Sequence, residues 1–289
     1  MIIDAHTHLW KKQNGMHNGE AVYHIENGKS QFCSEPHQMM PPYMTDGENT
    51  VERLIANMDY ARVNGAVITQ EVLDGNQNEY LLSAKRKYPD RIKICSLYEE
   101  SKTVAIDGFD GIKLCSCKFE EQDLMKHIPV FERANDENKF VSIDMADGDL
   151  QTGQLAEIAQ QFPDLRIAIG HFGMVTRENW QEQIKLGRYK NIYIESGGIT
   201  WLFNYEFYPY PNAIKAIREA IDICGVDKLM WGSDYPRTMV EITYKMSYDF
   251  ITKSTELSDE EKEKFLFTNA KNFYNFKDFE ELPIIPNML

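Results

Sequence analysis

Short apolar segments alternate with longer amphipathic stretches along the whole of this chain, and this alternation limits the folds open to it. The apolar segments are rich in Ile, Val and aromatic residues, which is typical of buried strands. Eight strands are predicted, at residues 2–9, 66–71, 92–98, 111–115, 140–145, 166–171, 192–196 and 228–234. Helices are predicted at residues 50–63, 76–88, 121–138, 150–162, 178–186, 213–224 and 258–274.

Strands that alternate with helices pair in parallel, because each parallel connection must cross back over the sheet. Eight such repeats in 289 residues predict an α/β fold, the (β/α)₈ TIM barrel. The alternative is an open doubly wound sheet, which would carry a glycine-rich phosphate loop after its first strand. That strand ends here in DAHTH at residues 4–8, so we predict one barrel domain over residues 1–289.

Two connections are much longer than the roughly two to six residues usual after a barrel strand. They cover residues 10–49, rich in Gly, Asn, Met, Pro and His, and residues 197–212, which are dense in aromatic side chains. Both follow predicted strands and therefore belong to the face where barrel enzymes bind substrate. We interpret both as pocket walls or lids; the alternatives are a surface insertion for the first and an oligomer contact for the second. Residues 277–289, with Pro283 and Pro286, are predicted to form a tail.

The charge and cysteine content limit the partners and the cellular compartment that we expect for this protein. With 31 Lys and Arg against 45 Asp and Glu, the formal charge is −14, which would repel a phosphate backbone. Nucleic acid is therefore excluded as a partner, and a small-molecule substrate is expected. The chain shows neither a signal-peptide pattern nor a long apolar span, so no membrane partner is expected. Five cysteines, an odd number, fit a reducing compartment, and we predict a cytoplasmic protein; a homo-oligomer stays open.

Polar side chains at the strand ends point to a metal site. His6 and His8 are two residues apart on the first strand, so both rings face the same side and can share one divalent cation. Asp234 ends the eighth strand, which neighbours the first in a closed barrel. A carboxylate there could be a ligand and also the base that removes a proton from water. The competing interpretation is that Asp234 caps the turn at Pro236 and that both histidines are core residues.

Three motifs in this order resemble the amidohydrolase superfamily. They are IDAHTH at residues 3–8, GHFG at residues 170–173 and WGSDYP at residues 231–236. More narrowly, the chain is similar over essentially its whole length to the amidohydrolase-related (amidohydrolase 2) group. That group contains metal-dependent hydrolases, lactonases of sugar acids and dicarboxylates, and zinc-dependent decarboxylases. The motifs are specific to the superfamily and not to one reaction.

The resemblance implies a distorted barrel that binds one divalent ion through His6, His8 and Asp234, with zinc expected and manganese as the alternative. Relatives in the group usually supply a further histidine at the end of the fifth strand, where this chain has Asp144. Asp144 could complete the ligand set, support another ligand or contact the substrate. The lactonase branch also lacks that histidine, and in it the metal can be dispensable.

The same resemblance implies roles for His171 and Lys113. His171 would donate a hydrogen bond to the oxyanion that develops on the substrate carbonyl; the alternative is a histidine bound to a backbone carbonyl. Other branches use a carboxylated lysine at the position of Lys113 to bridge two metals, but they also carry the histidine missing here. We therefore expect an ordinary cationic Lys113 that pairs with barrel carboxylates or holds an anionic group of the substrate.

Arg237 and Trp201 are candidate substrate contacts. Arg237 follows the eighth strand at the mouth of the barrel, and its guanidinium suits a carboxylate, although an exposed arginine bound to nothing is the commoner case. Trp201 begins the aromatic part of the second long connection, which suits a planar substrate.

Three functions are compatible with these residues. The first is hydrolysis of a lactone, ester or amide of a small, carboxylate-bearing molecule, with His171 and Asp234 as catalytic residues. The second is non-hydrolytic decarboxylation of an unsaturated or aromatic acid at the same site. The third is a barrel without activity that serves in binding, but such a protein would have no physical need for His6, His8, His171 and Asp234.

Overall fold

A computed structural model of the protein describes residues 1–100 and 102–282. Twelve strands lie in these ranges: β1 (Ile3–Thr7), β2 (Asn14–His17), β3 (Glu20–Glu26), β4 (Lys29–Phe32), β5 (Glu35–Gln38), β6 (Gly65–Ile68), β7 (Ile92–Leu97), β8 (Gly111–Leu114), β9 (Phe140–Ile143), β10 (Ile167–Ile169), β11 (Ile192–Glu195) and β12 (Leu229–Met230). The α-helices in the same ranges are α1 (Val51–Ala61), α2 (Asn78–Lys87), α3 (Ile128–Asp136), α4 (Thr152–Gln161), α5 (Trp180–Lys185), α6 (Ile199–Leu202), α7 (Pro211–Cys224), α8 (Met246–Lys253), α9 (Asp259–Glu263) and α10 (Asn269–Tyr274).

Eight of the strands form one parallel sheet in the order β1-β6-β7-β8-β9-β10-β11-β12, with helices between them. The first and last strands meet through backbone hydrogen bonds. Ala5 N donates to Trp231 O at 2.9 Å, and His8 N donates to Tyr235 O at 2.8 Å. The (β/α)₈ barrel prediction is therefore confirmed. The strands are shorter than predicted, so most polar residues assigned to strand ends lie just beyond the strands.

The helices cover the barrel with apolar faces. In α7, the buried residues Ala213, Ile214, Ile217 and Ala220 follow the spacing of one helix face, and Pro211 occupies the first turn, where its missing N–H is harmless. The predicted helix at residues 258–274 begins with a capping box between Ser258 and Glu261 and runs from α9 through a π-helical stretch into α10.

Two helices were not predicted. The buried face of α8 includes Ser247 and Tyr248, so its apolar periodicity is weak in the sequence. The four-residue α6 lies inside the aromatic connection, where Tyr205 and Phe207 are exposed. Whether this connection contacts a second copy of the chain stays a prediction.

The first long connection contains more regular structure than predicted. Strands β2 to β5 form an antiparallel four-stranded sheet, here called the meander. Its first two turns are Asn18-Gly19 and Asn27-Gly28, in which all four residues have positive φ angles. Asn-Gly is the preferred pair for such hairpin turns, and this signal could have identified the strands. The sequence analysis did not predict the strands within residues 10–49, because these short strands are largely exposed and lack an apolar run.

The remaining sequence expectations concern the chain end and membranes. Residues 277–282 form no helix or strand, while Pro283 and Pro286 lie outside the described residues. Among the helices of the described ranges, none is both long and apolar enough to span a bilayer.

A buried carboxylate holds the closure of the barrel. Asp4 on β1 accepts hydrogen bonds from Ser233 N at 2.8 Å, Ser233 Oγ at 2.5 Å and Tyr244 Oη at 2.6 Å. Burial raises the pKa of Asp4 to about 6, although these hydrogen bonds lower it. Asp4 therefore joins β1, which carries His6 and leads directly into His8, to the segment that carries Asp234.

We expect Tyr244→Phe to destabilise the protein, because it removes one donor from the buried Asp4. A hydrogen bond to a charged group contributes about 1.5 to 3 kcal/mol, so the free energy of unfolding should fall by about that amount. Chemical denaturation measures the change. The matched control is Tyr60→Phe at an exposed tyrosine, for which a change within about 0.5 kcal/mol is expected. Equal stability of the two variants would contradict the role of Asp4.

Candidate active site

A cavity of about 640 Å³ opens at the carboxyl ends of the barrel strands. Its lining includes the predicted site residues His8, Asp144, His171, Trp201, Asp234 and Arg237. The meander contributes Phe32, Gln38 and Met39 to the wall. Barrel enzymes bind their substrates on this face, so the cavity is the candidate active site.

His6, His8 and Asp234 converge on one point beside the cavity. The Nε2 atoms of His6 and His8 are 3.1 Å apart. Asp234 Oδ1 lies 2.8 Å from His8 Nε2 and 3.9 Å from His6 Nε2. The alternation of side chains along β1 places both rings on one side, and barrel closure brings Asp234 beside them. The structure therefore brings together the three residues predicted to form the metal site.

Glu195 determines the orientation of His6. Its Oε1 lies 2.6 Å from His6 Nδ1, and its Oε2 accepts a hydrogen bond from Gly197 N at 2.6 Å. A carboxylate at this distance keeps the proton of His6 on Nδ1, so the Nε2 lone pair points toward His8 and Asp234. The sequence analysis did not single out Glu195, which lies in the predicted strand at residues 192–196.

The donor set and its buried oxygen fit a divalent ion. Asp234 Oδ1 is buried and, apart from the 2.8 Å approach of His8 Nε2, finds no partner among the described residues. Burial and the nearby Arg237 lower the pKa of His8, which keeps its imidazole neutral. Ligands bound to zinc at about 2.0 to 2.2 Å in tetrahedral geometry are roughly 3.3 to 3.6 Å apart, and the three observed separations bracket that range. Within the described chain these three residues form a group that could hold a metal ion.

Asp144 lies at the same end of the barrel, but its partners differ. Its Oδ1 is 2.6 Å from Lys113 Nζ, and its Oδ2 is 3.7 Å from His171 Nε2. Burial disfavours the charged forms of both Lys113 and Asp144, but the attraction between the two opposite charges outweighs burial. The pKa of Asp144 therefore lies well below its usual value, and the pKa of Lys113 lies above its usual value. Asp144 forms a second possible ligand group, with His6 and His171. Its assignment as a ligand stays a prediction.

Lys113 is fully buried, with 0% of its side chain exposed. Its ammonium pairs with a barrel carboxylate, one of the two roles expected for it. Lys113 is not among the residues that line the cavity, and its direct contact with substrate stays a prediction.

His171 is bound to a backbone carbonyl through one ring nitrogen, and its other ring nitrogen lies on the cavity side. Its Nδ1 lies 2.9 Å from Gly197 O, so this nitrogen donates to a backbone carbonyl. Its Nε2 remains on the cavity side, near Asp144. Burial lowers the pKa of His171, but the charge of Asp144 and its interaction with the ring outweigh burial and raise the pKa to about 9. His171 is therefore positively charged at neutral pH and can donate a hydrogen bond from Nε2.

Trp201 contacts the candidate metal site directly. Its indole N–H donates to Asp234 Oδ2 at 2.7 Å. The approach depends on Gly198, whose φ is +71° and where a Cβ would lie only 1.8 Å from Trp201 Nε1. The aromatic residue predicted as a platform for substrate therefore also holds the carboxylate of Asp234, a contact that the sequence did not predict.

Arg237, the candidate substrate contact at the mouth, pairs with a carboxylate of the protein. Its Nη2 donates to both carboxylate oxygens of Asp74, at 2.9 and 3.0 Å, and the guanidinium lies 5.7 Å from the centre of the Trp10 ring. Its side chain is only 16% exposed, so the alternative of an exposed arginine bound to nothing is wrong, and its contact with substrate stays a prediction. Arg237 Nη1 is buried and has no hydrogen-bond partner in the described ranges. Asp74 was missed because nothing in its local sequence marks it.

Residues 3–276 match the family described as amidohydrolase. The chain belongs to the amidohydrolase family. Membership makes it an enzyme and confirms the resemblance found in its three motifs. The curated relative y4mH of Sinorhizobium fredii, an uncharacterized protein, is 28% identical over 135 residues. That alignment covers 43% of each protein, so the match spans less than half the length of this relative.

Solved structures of low sequence identity share the fold. A probable 2-pyrone-4,6-dicarboxylic acid hydrolase of Acinetobacter baumannii, with citric acid bound, has a TM-score of 0.69 at 20% identity, covering 95% of this chain and 99% of that one. An amidohydrolase of Burkholderia multivorans with bound zinc has a TM-score of 0.69 at 12% identity, covering 96% and 100%. The 5-carboxyvanillate decarboxylase of Sphingomonas paucimobilis has a TM-score of 0.59 at 15% identity, covering 80% and 84%.

We expect Glu195→Gln to weaken metal binding, because the neutral amide no longer holds the proton of His6 on Nδ1 as firmly. Loss of such a supporting carboxylate typically lowers metal affinity about 10- to 100-fold. Competition with a chromophoric zinc chelator measures the affinity. The control is Glu26→Gln, at an exposed residue of β3, which should bind zinc like the wild type. Unchanged affinity in Glu195→Gln would contradict its orienting role.

Proposed function

We propose that this enzyme hydrolyses a lactone, ester or amide bond of a small molecule that carries a carboxylate, with one divalent ion, zinc or alternatively manganese. The observation that carries the proposal is the convergence of His6, His8 and Asp234 on one point, with the cationic His171 ring 4.6 Å from the ring of His6. His6, His8 and Asp234 would hold the ion. When bound, the ion polarises the scissile carbonyl and lowers the pKa of water.

The chain's own residues supply the proton transfers. Asp234 accepts a proton from the attacking water and returns it to the leaving group. Its second oxygen is held by Trp201, so the carboxylate keeps one orientation while the first oxygen faces the histidines. His171 donates from Nε2 to the carbonyl oxygen as negative charge develops there, and its bond to Gly197 O fixes the ring.

Asp144 and Lys113 support this arrangement. Asp144 favours the charged form of His171, and Lys113 keeps Asp144 ionised in turn. We assign Asp144 this electrostatic role first and keep metal ligation as its alternative. If Asp144 is a ligand, Asp144→Asn lowers bound metal per chain; if it acts through His171, metal content stays at the wild-type level.

Decarboxylation of an unsaturated or aromatic acid is the second candidate function. It is favoured by the partly exposed Trp201 ring in the cavity lining and by the fold shared with the Sphingomonas decarboxylase. A panel of lactones, esters, amides and aromatic acids distinguishes the two functions. Ring opening or acid release supports hydrolysis, whereas release of carbon dioxide without hydrolysis supports the alternative. No turnover of any compound by zinc- or manganese-loaded protein would favour a barrel that only binds.

We expect His6→Ala and Asp234→Asn each to lower kcat by several orders of magnitude, because each removes a group from the reacting centre. Steady-state kinetics measures the loss, and circular dichroism checks that the fold is kept. Asp107→Asn, at an exposed aspartate, is the control for the loss of a carboxylate. Wild-type activity in either site variant would overturn the catalytic assignment.

We expect Arg237→Met to raise KM for a carboxylate-bearing substrate about 10- to 100-fold, since a charged hydrogen bond contributes about 1.5 to 3 kcal/mol. KM for the matching neutral amide should change little. Because the variant removes the charged partner of the buried Asp74, the KM for the neutral amide in the same variant is the control for a general disturbance of the site. Equal changes for acid and amide would show that Arg237 does not bind the carboxylate.

A further inference from the structure

The meander is anchored to the loop that carries Asp74. Asn14 N donates to Asp74 O at 3.3 Å, and Met16 N donates to Val72 O at 3.1 Å. At Gly15, between them on β2, a Cβ would lie 2.1 Å from Val72 O, so only glycine permits this approach. The position of the Asp74 loop therefore depends on β2.

A buried chain of side-chain hydrogen bonds continues from the meander into the cavity. Ser30 Oγ on β4 donates to Gln13 Oε1, and Gln13 Nε2 donates to Asp74 Oδ1 at 3.0 Å. Asp74 in turn receives Arg237 Nη2. Ser30, Gln13 and Asp74 are 0%, 1% and 2% exposed, so water does not compete for these bonds. This chain leads from the insertion to a guanidinium that lines the cavity.

Arg237 ends that chain with an unused donor. Asp74 occupies Nη2, Trp10 covers the guanidinium, and the buried Nη1 has no acceptor among the described residues. The guanidinium also lines the cavity, where its positive charge would attract the carboxylate of a ligand. The guanidinium can meet that carboxylate only if it keeps its place in the cavity wall, which Asp74 and Gln13 maintain.

We propose that Gln13, Ser30 and Asp74 are positioning residues that hold the Arg237 guanidinium in the cavity wall, so that the meander determines the preference of the enzyme for carboxylate ligands over neutral ones. The inference rests on the proposed function in that it takes the cavity as the substrate site. Asp74 Oδ2 also lies 3.9 Å from His8 Nδ1, so changing Asp74 would disturb two sites at once. Gln13 and Ser30 are the selective positions for a test.

The experiment compares two probes that differ in charge, glutarate and its dimethyl ester, by calorimetric titration of the full-length, zinc-loaded protein. Wild-type protein should bind glutarate more tightly than the ester. Gln13→Met keeps the side-chain volume and removes the hydrogen bonds, so the Kd for glutarate should rise about threefold to tenfold, as expected for weakening one hydrogen bond. The Kd for the ester should stay unchanged, and Ser30→Ala should act in the same direction with a smaller effect.

The matched control is Ser34→Ala, which removes an exposed meander hydroxyl bonded only to Glu20 within the described chain. It should bind both probes like the wild type. If Gln13→Met lowers Tm but leaves the ratio of the two Kd values unchanged, Gln13 has only a structural role and the inference is overturned. Absence of a preference for glutarate in the wild type would overturn it too. The binding experiment requires no turnover. If the Asp234→Asn protein keeps its activity, the proposed function is refuted, but the result of the binding experiment is unaffected.

Discussion

The closure of the barrel around Asp4 is the constraint on which the rest of the structure depends. Asp4 is buried, and its hydrogen bonds join β1 to the segment after β12. Histidines on β1 and a carboxylate beyond β12 can share an ion only if these two ends of the chain are in register. Asp234 N also donates to His6 O at 2.9 Å, so the same seam sets the spacing within the site. The hydrogen bonds that close the barrel therefore also position the residues of the candidate metal site.

Charge pairing explains how so many ionisable groups can be buried around one cavity. Lys113 pairs with Asp144, Arg237 with Asp74, and His6 with Glu195. Each pairing offsets the unfavourable burial of its members. Within the described residues, Asp234 Oδ1 and Arg237 Nη1 are buried polar atoms of the site without a hydrogen-bond partner. Asp234 Oδ1 lies beside the Nε2 atoms of the two histidines, and the Arg237 guanidinium places a positive charge in the wall of the same cavity.

The two long connections supply contacts at the site that the strands of the barrel do not supply. The meander forms part of the cavity wall and fixes the Asp74 loop, while the aromatic connection brings Trp201 onto Asp234. Each insertion thus reaches one polar group of the site through a hydrogen bond. Changes in these insertions would alter the site without altering the barrel, which is how one fold supports different reactions in a family.

The sequence by itself determined the barrel and the core of the candidate site. Alternating periodicities are local, and once a barrel is inferred, the neighbourhood of His6, His8 and Asp234 follows from closure. Only the tertiary structure decided the partners: Arg237 with Asp74, Trp201 with Asp234, Lys113 with Asp144. These pairs join residues between 31 and 163 positions apart. Which charged or polar groups meet over such separations depends on loop paths and side-chain packing, and neither leaves a periodic signal in the sequence.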